Sequence, residues 1–148
     1  MLDTSDTILI GRKLAMDYIP FWQETFTKPD DPMYDFASRI VNAKKVVFTK
    51  TLDKVIWDKT ELAKGDLTYE INRLKNQDGK DIIVYGGSSF VSALTSAGLI
   101  DAFHFFINPI AIGNGTSAFN QLENWQPLKL VKSITCNSGI IILNYERK

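Results

Sequence analysis

Short runs of Val, Ile and Phe alternate along this chain with amphipathic stretches, and three of the runs end directly in glycine, hydroxyl or basic residues. Residues 7–10, 46–48 and 82–85 lack polar alternation, the pattern of strands covered on both faces. The intervening stretches carry helical spacing. Residues 13–21 read as a helix that stops about Pro20. Asp31 is a good N-cap with Pro32 in the first turn, and Met33, Phe36, Ala37, Ile40 and Val41 then share one face. Residues 55–57 read as a short irregular piece. Asp66 caps a third helix with an apolar stripe of Leu67, Ile71 and Leu74, ended by residues 76–79. Ser88 or Ser89 opens a fourth, carrying Phe90, Val91 and Leu94 and closed by Gly98. Strands alternating with helices predict an α/β fold.

After residue 100 the pattern changes. Residues 103–112 are long and apolar, Gly113-Asn114-Gly115 reads as a turn, and residues 128–135 and 140–145 read as two strands joined across Asn137-Ser138-Gly139. That is a terminal antiparallel hairpin. No repeat, linker or shift in composition divides the chain, so residues 1–148 are read as one domain.

Composition enters as a set of exclusions. Seventeen Lys and Arg balance seventeen Asp and Glu, which argues against a protein built to grip nucleic acid. No apolar run approaches the roughly 18 residues of a membrane span. The first residues lack the basic and apolar regions of a signal peptide. The single cysteine, Cys136, can form no internal disulfide and has no clustered partners for a metal set; it reads as a small strand or core residue of an intracellular, cytoplasmic chain.

The chemistry is expected where strands run into helices, since ligands of open α/β sheets bind at that edge. At residues 82–90 the pair Gly86-Gly87 lets backbone approach a ligand, and Ser88, Ser89 and the amides at the helix start suit an anion such as a pyrophosphate. Gly11-Arg12-Lys13 places two cations at a helix start, where the helix dipole disfavours them unless an anion is present. Thr49-Lys50-Thr51 sets two hydroxyls about a cation after a buried strand. Taken singly, these are also what a tight turn or a solvated basic pair looks like. Taken together, they suggest strand ends converging on a dinucleotide that carries an extra phosphate.

Ile8-Leu9-Ile10-Gly11-Arg12-Lys13, Val46-Val47-Phe48-Thr49-Lys50-Thr51-Leu52, residues 82–91, and Leu99-Ile100-Asp101 leading to Asn108-Pro109-Ile110-Ala111-Ile112-Gly113-Asn114-Gly115 resemble, in that order, the dihydrofolate reductase-like family. The chain is most similar there to the C-terminal reductase domain of the bifunctional riboflavin-biosynthesis deaminase/reductase. The resemblance implies a three-layer α/β fold, with a central mixed sheet between helices and a C-terminal antiparallel hairpin. It also implies NADPH as cofactor and a small nitrogen heterocycle, of pteridine or ribosylaminopyrimidine type, as substrate. Gly11, Arg12 and Lys13 would approach the cofactor phosphates, and Thr49, Lys50 and Thr51 the adenosine ribose with its 2′-phosphate. Gly86, Gly87, Ser88, Ser89 and Phe90 would hold the pyrophosphate. The reduced nicotinamide carries the hydride in such enzymes, so no catalytic nucleophile is expected. Two departures stand out: Leu14 occupies a position where many relatives have Thr, and the family's first strand, with its Ser-x-Asp-Gly-like end, has no counterpart here. That strand would lie beside the strands at residues 82–85 and 103–112, whose backbone then needs other partners.

His104 lies opposite Phe103 and Phe105 in strand alternation and reads as structural or as an interface contact. Trp22, Trp57 and Trp125 read as core or rim packing, Tyr34 and Asp35 as candidates for a pocket mouth, and Asp17 as surface. The apolar run at 103–112 predicts a homodimer or larger assembly. Two alternatives to a reductase stay open: a nucleotide-binding or oligomer-forming relative without turnover, and a chain that binds no nucleotide.

Overall fold

The computed structural model describes residues 3–148. In chain order the elements are β1 (Ser5–Gly11), α1 (Arg12–Thr25), α2 (Tyr34–Asn42), β2 (Lys44–Phe48), β3 (Thr60–Ala63), α3 (Leu67–Lys75), β4 (Asp81–Val84), α4 (Ser88–Ser96), β5 (Ala102–Ile107), β6 (Leu128–Thr135) and β7 (Ile141–Arg147). They group into two compact units, Met1–Val91 and Ser92–Lys148.

The first unit is a parallel sheet of order β3-β2-β1-β4. Ile10, Val47 and Leu62 are register partners on one face and meet Ala15 and Ile19 of α1, with Trp57 buried beside them. Leu9, Val46 and Val84 share the opposite face. Right-handed connections then place α1 and α2 on one side of the sheet and α3 on the other. Lys45 interrupts the apolar face at 2% exposure, and its ammonium donates to the carbonyls of Ile40, Val41 and Ala43 at 3.3, 2.9 and 2.8 Å. It thereby finishes the C-terminal end of α2, where the carbonyls of the last turn have no helical partner.

The second unit is an antiparallel sheet of order β5-β7-β6. The expected hairpin is there: Cys136 and Ile140 close its turn with a 2.8 Å bond, and Gly139 takes φ +85°. Gly98 ends α4 at φ +66°, with Leu99 N–H bonding Leu94 C=O at 3.0 Å. Among the described residues, β4 and β5 each have one strand neighbour and form outer edges of their sheets.

Several boundaries differ from the sequence reading. α1 continues through Pro20 to Thr25; Pro20 lies on the exposed side, where the carbonyl it leaves unbonded can meet water, while Ile19 and Thr25 stay buried. α2 starts at Tyr34, and Asp31 caps a preceding turn instead, accepting from Met33 N–H at 2.8 Å. β3 was not expected. The apolar run at 103–112 leaves the sheet after Ile107, just before Asn108-Pro109, where the missing proline N–H ends a ladder. Neither Gly113 nor Gly115 adopts positive φ, and the chain turns at 118–121 instead. Trp125 is fully exposed rather than packed.

Candidate active site

The parallel sheet brings three of its strand ends to one edge. Gly11 ends β1, with Phe48 of β2 as its register partner, and Val84 of β4 pairs Leu9 on the other side of β1. The segments 49–51, 11–13 and 86–89 therefore follow one another along the edge. Between β1 and β4 the connections depart to opposite sides, the switch point at which open α/β sheets bind ligands.

The start of α1 at this edge is not finished like that of α3, and it lacks even the first-turn acid, Asp35, that α2 carries behind its own uncapped start. At α3, the Asp66 carboxylate accepts from Tyr69 N–H at 3.0 Å, Glu70 lies in the first turn, and Arg73 and Lys75 occupy the last. At α1, the N-cap is Gly11 with no side-chain cap, and no acidic residue follows in the first turn. Arg12 and Lys13 stand there in its place. Among the described residues neither they nor Lys50 has a carboxylate partner within salt-bridge distance.

Phe90, in the first turn of α4, crosses the end of β1. A Cβ on Gly11 would meet Phe90 Cβ at 3.4 Å, and the Phe90 ring reaches Phe48 with centroids 4.9 Å apart. Gly11, Phe48 and Phe90 are thus brought together, with Phe90 acting through packing. Gly86 adopts φ +148°, a conformation open to glycine, and Leu14 packs 3.7 Å from where its Cβ would be. Leu14 therefore supports the loop with apolar contact rather than a hydroxyl. Gly87 faces open space, and its carbonyl accepts from the amides of Phe90 and Val91, each at 3.0 Å. Ser88 and Ser89 are exposed beside it.

Thr49 is buried, and its hydroxyl oxygen accepts from the amides of Thr51 and Leu52 at 3.1 and 3.0 Å. It shapes the loop that presents Lys50 and Thr51, both exposed. An open recess of 380 Å³ lined by Asn42, Lys44, Lys59, Thr60 and Glu61 lies at the other end of these strands. Its cations are already engaged, Lys44 with Glu61 and Lys59 with Asn42, both at 2.8 Å.

An aromatic row escaped the sequence reading. Tyr85 prolongs β4 onto the face of Ile10 and meets Tyr18 of α1 with centroids 6.2 Å apart. Tyr18 meets Trp22 edge-on at 6.1 Å, and Trp22 meets Phe36 of α2 at 5.0 Å. The available signal was the helical i, i+4 spacing of Tyr18 and Trp22, together with the position of Tyr85 before the paired glycines. Burial raises the Tyr18 phenol above its usual 10, the neighbouring Tyr85 raises it further, and the Trp22 indole N–H opposes both. Burial raises Tyr85 as well.

The remaining candidates belong to other elements. Tyr34 stacks on Phe26 at 5.2 Å, and Asp35 and Asp17 are exposed. His104 Nδ1 lies 2.8 Å from Asn144 Oδ1 on the antiparallel sheet, and Cys136 is a half-buried free thiol in the hairpin turn. Among the described residues no helix is long and apolar enough to cross a membrane.

Known proteins share both the sequence and the architecture. YyaP, an uncharacterized protein of Bacillus subtilis (strain 168), is 32% identical over 146 residues, covering 97% of this chain and 75% of its own. A candidate riboflavin biosynthesis protein from Shewanella sp. PV-4 superposes with TM-score 0.75 at 23% identity, over 99% of this chain and 76% of its own. The diaminohydroxyphosphoribosylaminopyrimidine deaminase/5-amino-6-(5-phosphoribosylamino)uracil reductase of Thermotoga maritima gives TM-score 0.65 at 18% identity, over 97% of this chain and 46% of its own. Dihydrofolate reductase from Enterococcus faecalis, solved with NADP(H), gives 0.59 at 16% identity, over 99% and 77%. The sequence profile of the RibD C-terminal domain matches residues 1–142, and the chain belongs to that reductase-like family.

Proposed function

We propose that this chain is a cytoplasmic NADPH-dependent reductase that transfers a hydride to a small nitrogen heterocycle of pteridine or ribosylaminopyrimidine type. The observation that carries the reading is the start of α1: uncapped, without an acidic residue, bearing Arg12 and Lys13, and set beside Gly86-Gly87 at the switch point of the sheet. NADPH, when bound, supplies the hydride. The residues present fit its phosphates. The open backbone at Gly87 and the amides that follow suit the pyrophosphate, with Ser88 and Ser89 beside it and Phe90 holding the helix start in place. Arg12 and Lys13 offset its charge. Lys50 and Thr51 reach for the ribose and its 2′-phosphate, on a loop that Thr49 holds.

Calorimetric titration with NADPH and NADH tests the reading. The wild type binds NADPH more tightly, and Lys50→Glu weakens NADPH by roughly tenfold, the scale of one charge-assisted contact, with little change for NADH. Equal losses remove Lys50 from the phosphate site, and a folded chain that takes up neither nucleotide overturns the reading.

The same chain is proposed to act as a homodimer or larger assembly. Phe106, Ile107, Ile110 and Ile112 are 49%, 50%, 74% and 73% exposed, which supports a covering surface. Light scattering at micromolar concentration gives at least twice the chain mass if so, and a monomer excludes it.

A further inference from the structure

Beyond the phosphate contacts, the same edge of the first unit carries a polar group that the reading above does not use. Tyr85 is the last residue of an apolar run, lies directly before Gly86, and is 40% exposed where Ile82, Ile83 and Val84 are more covered. Strand alternation turns it to the α1 side, whereas Phe48 and Phe90 lie on the opposite face. Its ring is backed by Tyr18, which Trp22 and Phe36 support in turn. Among the described residues its hydroxyl has no hydrogen-bond partner, while the ring behind it packs edge-on against Trp22. An aromatic wall ending in one available O–H is what a site needs to hold a flat ring and read one polar position on it.

We propose that Tyr85, backed by Tyr18, determines substrate specificity by donating a hydrogen bond to a ring carbonyl of a planar nitrogen heterocycle that lies against the Tyr18–Trp22 row. The inference rests on the reductase reading and adds the group that tells a carbonyl-bearing ring from its amino analogue. The hydroxyl is protonated at neutral pH, since burial lifts Tyr85 above the usual phenol value. A ring amino group in the same place offers hydrogens where the site wants an acceptor, although the phenol oxygen can still accept weakly.

The test uses the NADPH-saturated chain and two probes of one skeleton: 6,7-dimethylpterin, with a ring carbonyl, and 2,4-diamino-6,7-dimethylpteridine, in which an amino group replaces it. Wild type binds the pterin more tightly. Tyr85→Phe keeps the ring and weakens the pterin by roughly tenfold while moving the diamino probe less than about twofold, as loss of one hydrogen bond requires. Tyr85→Leu weakens both probes, because the wall is lost too. The proposal is overturned if Tyr85→Phe weakens both probes alike, if it leaves the pterin unchanged, or if it shifts NADPH affinity, which would make the phenol part of the cofactor site. A wild type that takes up NADPH but neither probe overturns it and spares the reductase reading. A wild type that takes up no NADPH removes both.

Discussion

In the first unit Ile8, Leu9, Ile10, Val46 and Val47 are no more than 5% exposed. In the second, Phe106 and Ile107 of β5 are 49% and 50% exposed, and Leu130, Val131 and Ile134 of β6 are 49%, 53% and 39% exposed. The strands are comparably apolar. What differs is the cover: crossover helices lie over a parallel sheet because the connections must return across it, whereas the β6–β7 hairpin returns through a turn and brings none, and Phe119 of the β5–β6 connection packs only on Phe103 and Phe105. On one face of the second sheet Phe106, Ile142 and Ile134 form an apolar row across all three strands, beside a polar row of His104, Asn144 and Lys132.

The largest test of this contrast is a pair of truncations. Ile10→Ala removes packing from a closed core and is expected to cost about 2–5 kcal/mol, read as a fall in urea midpoint at constant slope. Phe106→Ala, already half in water, is expected to cost about 1 kcal/mol in a monomeric sample. Should Phe106→Ala cost as much as Ile10→Ala, and the cost grow with dilution, the second sheet is covered in solution by another copy, and the contrast belongs to the isolated chain alone.

A middle-sized test concerns the buried cation of the first unit. Burial and the neighbouring Lys59 hold Lys45 down to about 8, against its usual 10.5, while the nearby Asp58 carboxylate opposes the shift. The folded form then loses its proton at a lower pH than the unfolded chain, so the unfolded chain binds more protons between about pH 8 and 10, and stability rises with pH in that window by on the order of 1 kcal/mol. Above pH 10 the raised Tyr18 acts in reverse, since the unfolded phenol ionises first. Lys45→Met flattens the rise; a slope unchanged in the variant shows that Lys45 is not its source.

The smallest effect is expected from the polar pair of the second unit. Asn144→Ala deletes the partner of His104 on a solvent-washed face and is expected to change stability by less than about 0.5 kcal/mol. A loss above 1 kcal/mol would again mean that this face is covered.

Much of the first unit was legible because its signals are local. The runs at 7–10 and 46–48 are strands, that at 82–85 is one as far as Val84, Asp66 caps α3, and Ile71 and Leu74 are buried as their spacing requires. β3 was not legible, because Thr60-Glu61-Leu62-Ala63 has weak strand character and is fixed by its ladder with β2. Pro20 misled because a break rule was applied to a helix held by tertiary packing at Ala15 and Ile19. At the candidate site, the three strand-end segments could be read from residue types, and their order along one edge came from the topology. The tyrosine pair could not be read, since 67 residues separate Tyr18 from Tyr85 and only the sheet makes them neighbours. The exposure of β5 and β6 was hidden for a related reason: cover is supplied by other elements and leaves no trace in the strand.

The sheet order β3-β2-β1-β4 also sets a timetable. β1 is made before the other strands of its sheet and can pair with β2 once that follows, but its other flank waits until β4 has been made, 73 residues after Gly11. At typical synthesis rates the wait is on the order of seconds. Throughout it, the backbone of Thr7-Ile8-Leu9-Ile10 offers a bare apolar edge to any passing strand. An inner strand of the finished sheet is thus an open edge while the chain is being made.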